Sequence, residues 1–293
     1  MEAAKAVLRK NGYGLGQAHP SVRSDKDAVI IAVQSNADAL KFADASLKCD
    51  REVALAAVRS GGMALQHVSS DLRDDEEIVR CAVSQSPLAL QHAGLDARAK
   101  LDIVLAAVSR NGLALRYADC NMRRNRTAVL AAVKQNGFAL EYADRSLMRD
   151  DEIAREVVLA AVTRNGDAIQ WAPSKLRDSV EVAIVAVANS PDGDALQYTS
   201  LRKSKEVCMV AVRHCGHALR WASEALKEDK ELAMAAALQN GFALEWACPK
   251  IRKSPELLVE AVRVGDQPAR WYHNEEIATD YTFGMWFSPD VVD

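Results

Sequence analysis

The chain has 293 residues, 49% of them apolar and 5% aromatic, and a formal net charge of −3. That is enough apolar material for a large core, built mainly from alanine, valine and leucine. The charge argues against wholesale binding of nucleic acid or of an anionic membrane, though not against a local basic strip.

From the first residues onward one pattern recurs. A leucine stands at Leu15, Leu40, Leu65, Leu90, Leu115 and Leu140, each 25 residues after the last, and the series continues through Ile169, Leu196, Leu219 and Leu244. Such a period marks a repeat architecture. Within one unit, Val129, Ala132 and Val133 take the i, i+3, i+4 spacing of a helix, with Leu130 and Ala131 widening its apolar surface. In the second arm Leu140, Ala143 and Leu147 predict another helix, apolar on one side, with Glu141 and Asp144 facing away. Asn-Gly between the arms, as at Asn111-Gly112 and Asn136-Gly137, suits a left-handed residue that ends a helix. Asp25, Asp50, Asp75 and Glu181 stand where a first helix begins and can cap its free amides. A unit this short buries too little to stand alone, so its neighbours must cover it. The fold expected is all-α: an α-solenoid of about eleven 25-residue helix-hairpin repeats over residues 1–271, followed by a non-repeat aromatic tail at 272–293.

Along the chain, the opening residues show no signal-peptide core and fall straight into repeat register. Ala37 replaces the glycine between the arms, at a predicted cost in stability. Pro87 takes that place in the fourth unit and must stop its first helix. Four extra residues near 150–155, close to one turn of ~3.6, predict a longer helix there. Pro191-Asp192-Gly193 is an insertion in a connecting loop, and Asp266 and Pro268 break the pattern of the last unit. No apolar run approaches the ~18–20 residues of a membrane span. The six cysteines form no CxxC pair, which fits reduced, intracellular thiols.

The unit at residues 156–177, EVVLAAVTRNGDAIQWAPSKLR, and more loosely 126–149, resembles the tandem helical repeats known as domain of unknown function 4116. The resemblance covers about residues 1–271. It implies an all-helical tandem array with no established activity, and it transfers no catalytic residues.

Two columns are candidate surfaces. Rings stand two residues after each repeat leucine: Phe42, His67, His92, Tyr117, Tyr142, Trp171, Tyr198, Trp221, Trp246 and Trp271. They are either a binding ladder or the wedges that fill the gap between units. The residue before each ring, from Lys41 and Gln66 to Arg116, Glu141 and Arg220, varies and suits a solvent-facing specificity column. A basic ladder runs through Lys48, Arg73, Arg98, Arg123, Arg177, Arg202, Lys227 and Arg252. It would track phosphates or simply complement helix carboxyl ends. Cys208, His214, Cys215 and His217 fit no standard zinc spacing, and Gly12, Gly14 and Gly16 lack the strand a phosphate loop needs. No nucleophile-elbow, zincin or Walker motif occurs, so no catalytic, cofactor or metal residue is expected.

The function expected is a non-catalytic protein-binding scaffold or accessory subunit of a larger assembly, with other proteins as partners. Trp171, Trp221, Trp246 and Trp271 are the expected contacts, with Tyr281, Phe283, Trp286 and Phe287 of the tail, which either caps the array or docks on another subunit. An RNA reader using the basic ladder is the alternative.

Overall fold

The computed structural model describes residues 1–257. The chain divides into two compact units, Met1–Asn189 and Ser190–Asp293, each considered by itself. Among the described residues every element is helical.

The first arm of each repeat is an α-helix of about three turns. In Arg51–Ser60 the Asp50 carboxylate accepts from the amides of Glu52 and Val53, and Val53, Ala54, Ala57 and Val58 are fully buried. Asp25 caps Lys26–Ser35 and Asp75 caps Glu76–Gln85 as expected; in the second unit Asp229 does the same for Lys230–Gln239. Glu181 differs, lying inside the first turn of Val180–Ala188 behind Ser179. Two side-by-side buried pairs per helix need small residues, since large ones there would push neighbouring helices apart. Leu40, Leu65, Leu90 and Leu115 close the core from the second arm, all fully buried. Each contributes on the order of 1.5–3 kcal/mol.

The second arm is not one helix. It is a 3-10 helix such as Ala37–Phe42, two extended residues, and a short helical turn such as Ala45–Lys48. Ala43 and Asp44 carry ψ values of 153° and 150°. That extended step turns the Asp44 N–H away from its own helix and onto the Arg23 carbonyl of the preceding repeat, at 3.0 Å. The bond recurs from Ser69 to Lys48, Gly94 to Arg73, Asp119 to Arg98 and Asp144 to Arg123, and in the second unit from Ser223 to Arg202 and Cys248 to Lys227. A continuous helix would have kept those amides for itself.

The glycine between the arms also has a different reason from the expected one. Asn11, Asn111 and Asn136, which end the first arm, are extended, with φ near −146°. Among the described residues only Gly193, in the inserted loop, is a glycine with positive φ, at 72°. What excludes a side chain is contact. A Cβ on Gly12 would stand well inside 3.0 Å of the Ala32 carbonyl oxygen in the next repeat, as would one on Gly62 against Ala82, Gly112 against Ala132 and Gly137 against Ala161. The asparagine plays a separate part. Its side chain accepts from the amide two residues on and caps the 3-10 helix, as Asn111 does for Leu113 and Asn136 for Phe138.

Ala37 is therefore accommodated sterically. The next repeat carries Gly61 where others carry asparagine, and a Cβ on Gly61 would lie 2.9 Å from the Ala37 Cβ. The methyl gained in one repeat is matched by a side chain lost in the next. The four-residue insertion lengthens one helix to Asp151–Arg164, 14 residues against the usual 10, and its buried face stays in register.

Gly61→Asn alone is expected to lower stability by about 1–3 kcal/mol through overpacking. Adding Ala37→Gly should recover most of that loss, because the pair then reproduces Gly112 against Asn136. Urea unfolding of the two single variants and the double variant measures the coupling. Simple additivity of the two changes would contradict the steric account.

Candidate protein-binding surface

Among the described residues each ring of the aromatic column closes a 3-10 helix, and neighbouring 3-10 helices lie side by side within a unit. The rings are thus brought into one row per unit. Phe42, His67, His92, Tyr117, Tyr142 and Trp171 are half-buried in the first unit; in the second, Tyr198 and Trp221 are half-buried and Trp246 is 37% exposed.

What half-buries a ring is the preceding repeat. Phe42 meets Tyr13 edge-on with centroids 5.9 Å apart, and Trp171 meets Phe138 at 5.4 Å and 81°. The Trp221 indole N–H donates to Asp194 at 3.0 Å. His67 Nε2 lies 3.9 Å from an Asp38 oxygen. Burial holds the pKa values of His67 and His92 below the ordinary histidine range. The rings therefore fill the joints between repeats and leave their other side to solvent.

The variable column lies over them. The Lys41 ammonium sits 4.7 Å from the Tyr13 centroid and 4.8 Å from that of Phe42; the Arg116 guanidinium lies over Tyr117 and Tyr142; Arg220 lies over Trp221 and pairs with Asp194. Fixed rings with cations on their faces make a surface of defined shape. Trp271, Tyr281, Phe283, Trp286 and Phe287 lie outside the described residues.

The basic ladder turns inward. Arg73 donates from Nε to the Val68 carbonyl at 2.9 Å and from Nη2 to that of Gln66 at 2.7 Å, and Lys48 Nζ donates to the Lys41 carbonyl at 2.8 Å. The Nε atoms of Arg98, Arg123 and Arg177 are buried without a hydrogen-bond partner, and Arg202 is exposed. Lys48 and Arg73 thus close free carbonyls at the ends of their own 3-10 helices.

A different set of charges links the repeats, and the columns read from sequence did not include it. Lys26, the first residue of its helix, reaches Asp50 and Glu52 of the next repeat at 2.8 Å each, and Lys205 reaches Asp229 and Glu231 at 2.7 and 2.6 Å. Arg51 meets Asp75 and Glu77 in the same way. One repeat later the signs swap, with Glu76 at the helix start and Lys100 at the next cap, 3.0 Å apart. The signal was legible as opposite charges recurring 24 and 26 residues apart.

Cys208 is buried in Lys205–His214, and burial pushes its thiol up to about 11. Among the described residues no group of His, Cys, Asp and Glu is placed to hold a metal ion. An open groove of about 770 Å³ on the second unit is lined by Met209, Met234, Ala235 and Leu238, with Lys230 and Glu231 at its rim. No described helix is long and apolar enough to cross a membrane.

With this repeat geometry in hand, comparison with protein families is decisive. The family described as Domain of unknown function (DUF4116) matches residues 1–48, 50–96, 101–148, 155–202 and 204–252. The chain belongs to this family. Each DUF4116 match covers two of the 25-residue repeats, and the gap after 148 falls where Asp151–Arg164 gains its extra turn. No curated protein and no solved structure matches the chain.

The pairs between repeats set a pH dependence. Lys26 holds Asp50 below the usual carboxylate range, Lys205 does so for Asp229, and Lys100 for Glu76. Asp144 is lowered to about 2 by the Ser146 hydroxyl and amide and by Arg124. The lysines are raised in turn by hydrogen bonds to these carboxylates. A lowered carboxylate stabilises above its unfolded value and loses that contribution as pH falls. A raised lysine stabilises below its unfolded value and loses it as pH rises. The thermal midpoint is expected to fall below about pH 4 and above about pH 10.5. Lys26→Met with Lys205→Met should shrink both limbs, and limbs unchanged by these substitutions would contradict the assignment.

Proposed function

We propose that this DUF4116 protein is a non-catalytic protein-binding scaffold or accessory subunit of a larger assembly, which presents the ring-bearing face of its 3-10 layer to a protein partner. The observation that carries this reading is the fixing of each ring by the repeat before it, as Phe138 fixes Trp171 and Asp194 fixes Trp221. A preformed surface needs little ordering on binding, so its contacts convert efficiently into affinity. Half-exposed tryptophans are the side chains that most often dominate an interface. Trp171, Trp221 and Trp246 are the anchors, with Lys41, Arg116, Glu141 and Arg220 beside the rings setting specificity. The free thiols suit a reducing compartment. The inward bonds of Lys48 and Arg73 weigh against an RNA reader built on the basic ladder, since those cations already satisfy carbonyls.

Affinity purification after nuclease treatment, with the unaltered chain and a Trp171→Ala/Trp221→Ala/Trp246→Ala variant side by side, tests the proposal. A stoichiometric protein partner is expected with the unaltered chain and a loss of about 10-fold or more with the variant. A monomer that had carried only RNA before nuclease treatment would overturn it.

A further inference from the structure

The two ends of the long helices in the first unit carry charge very differently. At the amino ends nearly every base is engaged across the joint: Lys5 with Asp25 and Asp27, Lys26 with Asp50 and Glu52, Arg126 with Glu156, and Arg155 with Glu181. At the carboxyl ends stand Arg9, Lys10, Arg59, Arg110, Lys134 and Arg164, all exposed. Of these, only Arg59 has a carboxylate within reach among the described residues, Glu77 at 3.9 Å. Complementing a helix dipole explains why a base stands at such an end. It does not explain why the pairing used throughout the other edge is missing here.

Three of these bases are held in sequence by the fold. Gln135, last in its helix, accepts from the Gly112 amide at 2.6 Å and donates to the Arg110 carbonyl at 3.2 Å. Arg164 donates from Nε to the Gln135 carbonyl at 3.3 Å. The helix ends carrying Arg110, Lys134 and Arg164 are thereby stitched into one edge. Next to them in the chain, at the start of the 3-10 helices, stand the partly exposed side chains Leu113 and Phe138, and farther along Leu88 and Tyr13. From Arg110 to Arg164 a base thus recurs in three successive repeats with Leu113 and Phe138 between them, whereas Gln34-Ser35 and Ser84-Gln85 carry no base and Asp38 and Asp167 take the apolar position.

We infer that this edge binds an acidic peptide segment of a partner protein, in extended form. The inference rests on the scaffold reading and names the chemistry of one partner. Packed helices are ~8–10 Å apart, and a chain extended as polyproline II advances ~3.1 Å per residue and returns every third side chain to the same face. Three peptide residues therefore span one repeat, so the fitting segment has an acid at every third position with apolar side chains between. The apolar component favours such a peptide over a nucleic acid, whose backbone offers nothing to Leu113 or Phe138.

The probe is a fluorescein-labelled peptide of about nine residues, three turns of three, with glutamate at every third position and leucine between, alongside a control of equal composition with its glutamates clustered. The full chain should bind the periodic peptide about 10-fold more tightly than the control by fluorescence anisotropy. Arg110→Gln/Lys134→Gln/Arg164→Gln should weaken it about 10-fold, three exposed pairs at a few tenths to one kcal/mol each. Circular dichroism of that variant checks its fold, and Trp246→Ala should leave the peptide affinity unchanged. Equal binding of both peptides, or loss with Trp246→Ala rather than with the glutamine variant, overturns the inference and leaves the scaffold reading standing. Tight binding of an oligouridylate with no binding of either peptide, together with no ring-dependent protein partner, overturns both.

Discussion

The structure depends on a backbone hydrogen bond that recurs at most of the described joints, from the second residue after the ring-bearing 3-10 helix to the carbonyl of the basic residue one repeat earlier; Pro173, with no N–H, cannot make it. Asp44 to Arg23, Ser69 to Lys48 and Asp119 to Arg98 are instances, all near 3 Å. To make it, the chain leaves helical geometry for two residues, which divides the second arm in two. Leaving the helix frees carbonyls at the end of the 3-10 segment. At two joints the basic residue that accepts the bond on its main chain also returns its side chain to those carbonyls, Lys48 to Lys41 and Arg73 to Gln66 and Val68, so acceptor and clamp are the same residue.

The other contacts between repeats follow from how closely this bond draws them together. Glycine after the first arm is forced by the carbonyl of the next helix, and the alanine that begins the second buried pair of a long helix, as Ala57, Ala82, Ala107 and Ala132, by the spacing of its neighbours. Where one partner changes, the other changes with it, as at Ala37 with Gly61 and at Glu76 with Lys100. The exposed ion pairs contribute only a few tenths to one kcal/mol each. Their regularity makes the repeat order more specific than their energy would suggest, since a shift of register would set like charges together.

Much of this was legible in the sequence. The 25-residue spacing from Leu15 to Leu140 set the repeat, Asp25, Asp50 and Asp75 marked the helix starts, and the extra turn near residue 150 emerged as the longer helix Asp151–Arg164. The broken second arm was not legible, because Leu140, Ala143 and Leu147 fit a helical stripe whether or not the chain extends between them. The glycine was assigned to the wrong cause for a similar reason: its obstacle, the Ala132 carbonyl for Gly112, lies 20 residues away in sequence. The basic ladder was visible as a column, but the direction of its side chains depends on carbonyls that only the 3-10 turn sets free. For the aromatic column the gap-filling reading matches the contacts of Phe42 and Trp171, while the binding reading stands as the proposal made above.

The most direct test is native-state hydrogen exchange at the amides of Asp44, Ser69, Asp119 and Asp144, at positions that the apolar stripe read from sequence sets inside a continuous second-arm helix. If the joint bond sets the register of the repeats and so preforms the ring-bearing face, these amides exchange as slowly as those inside the adjoining long helices, such as Ala57 and Ala132. Exchange near the rate of an open loop, with the long helices still protected, would contradict it.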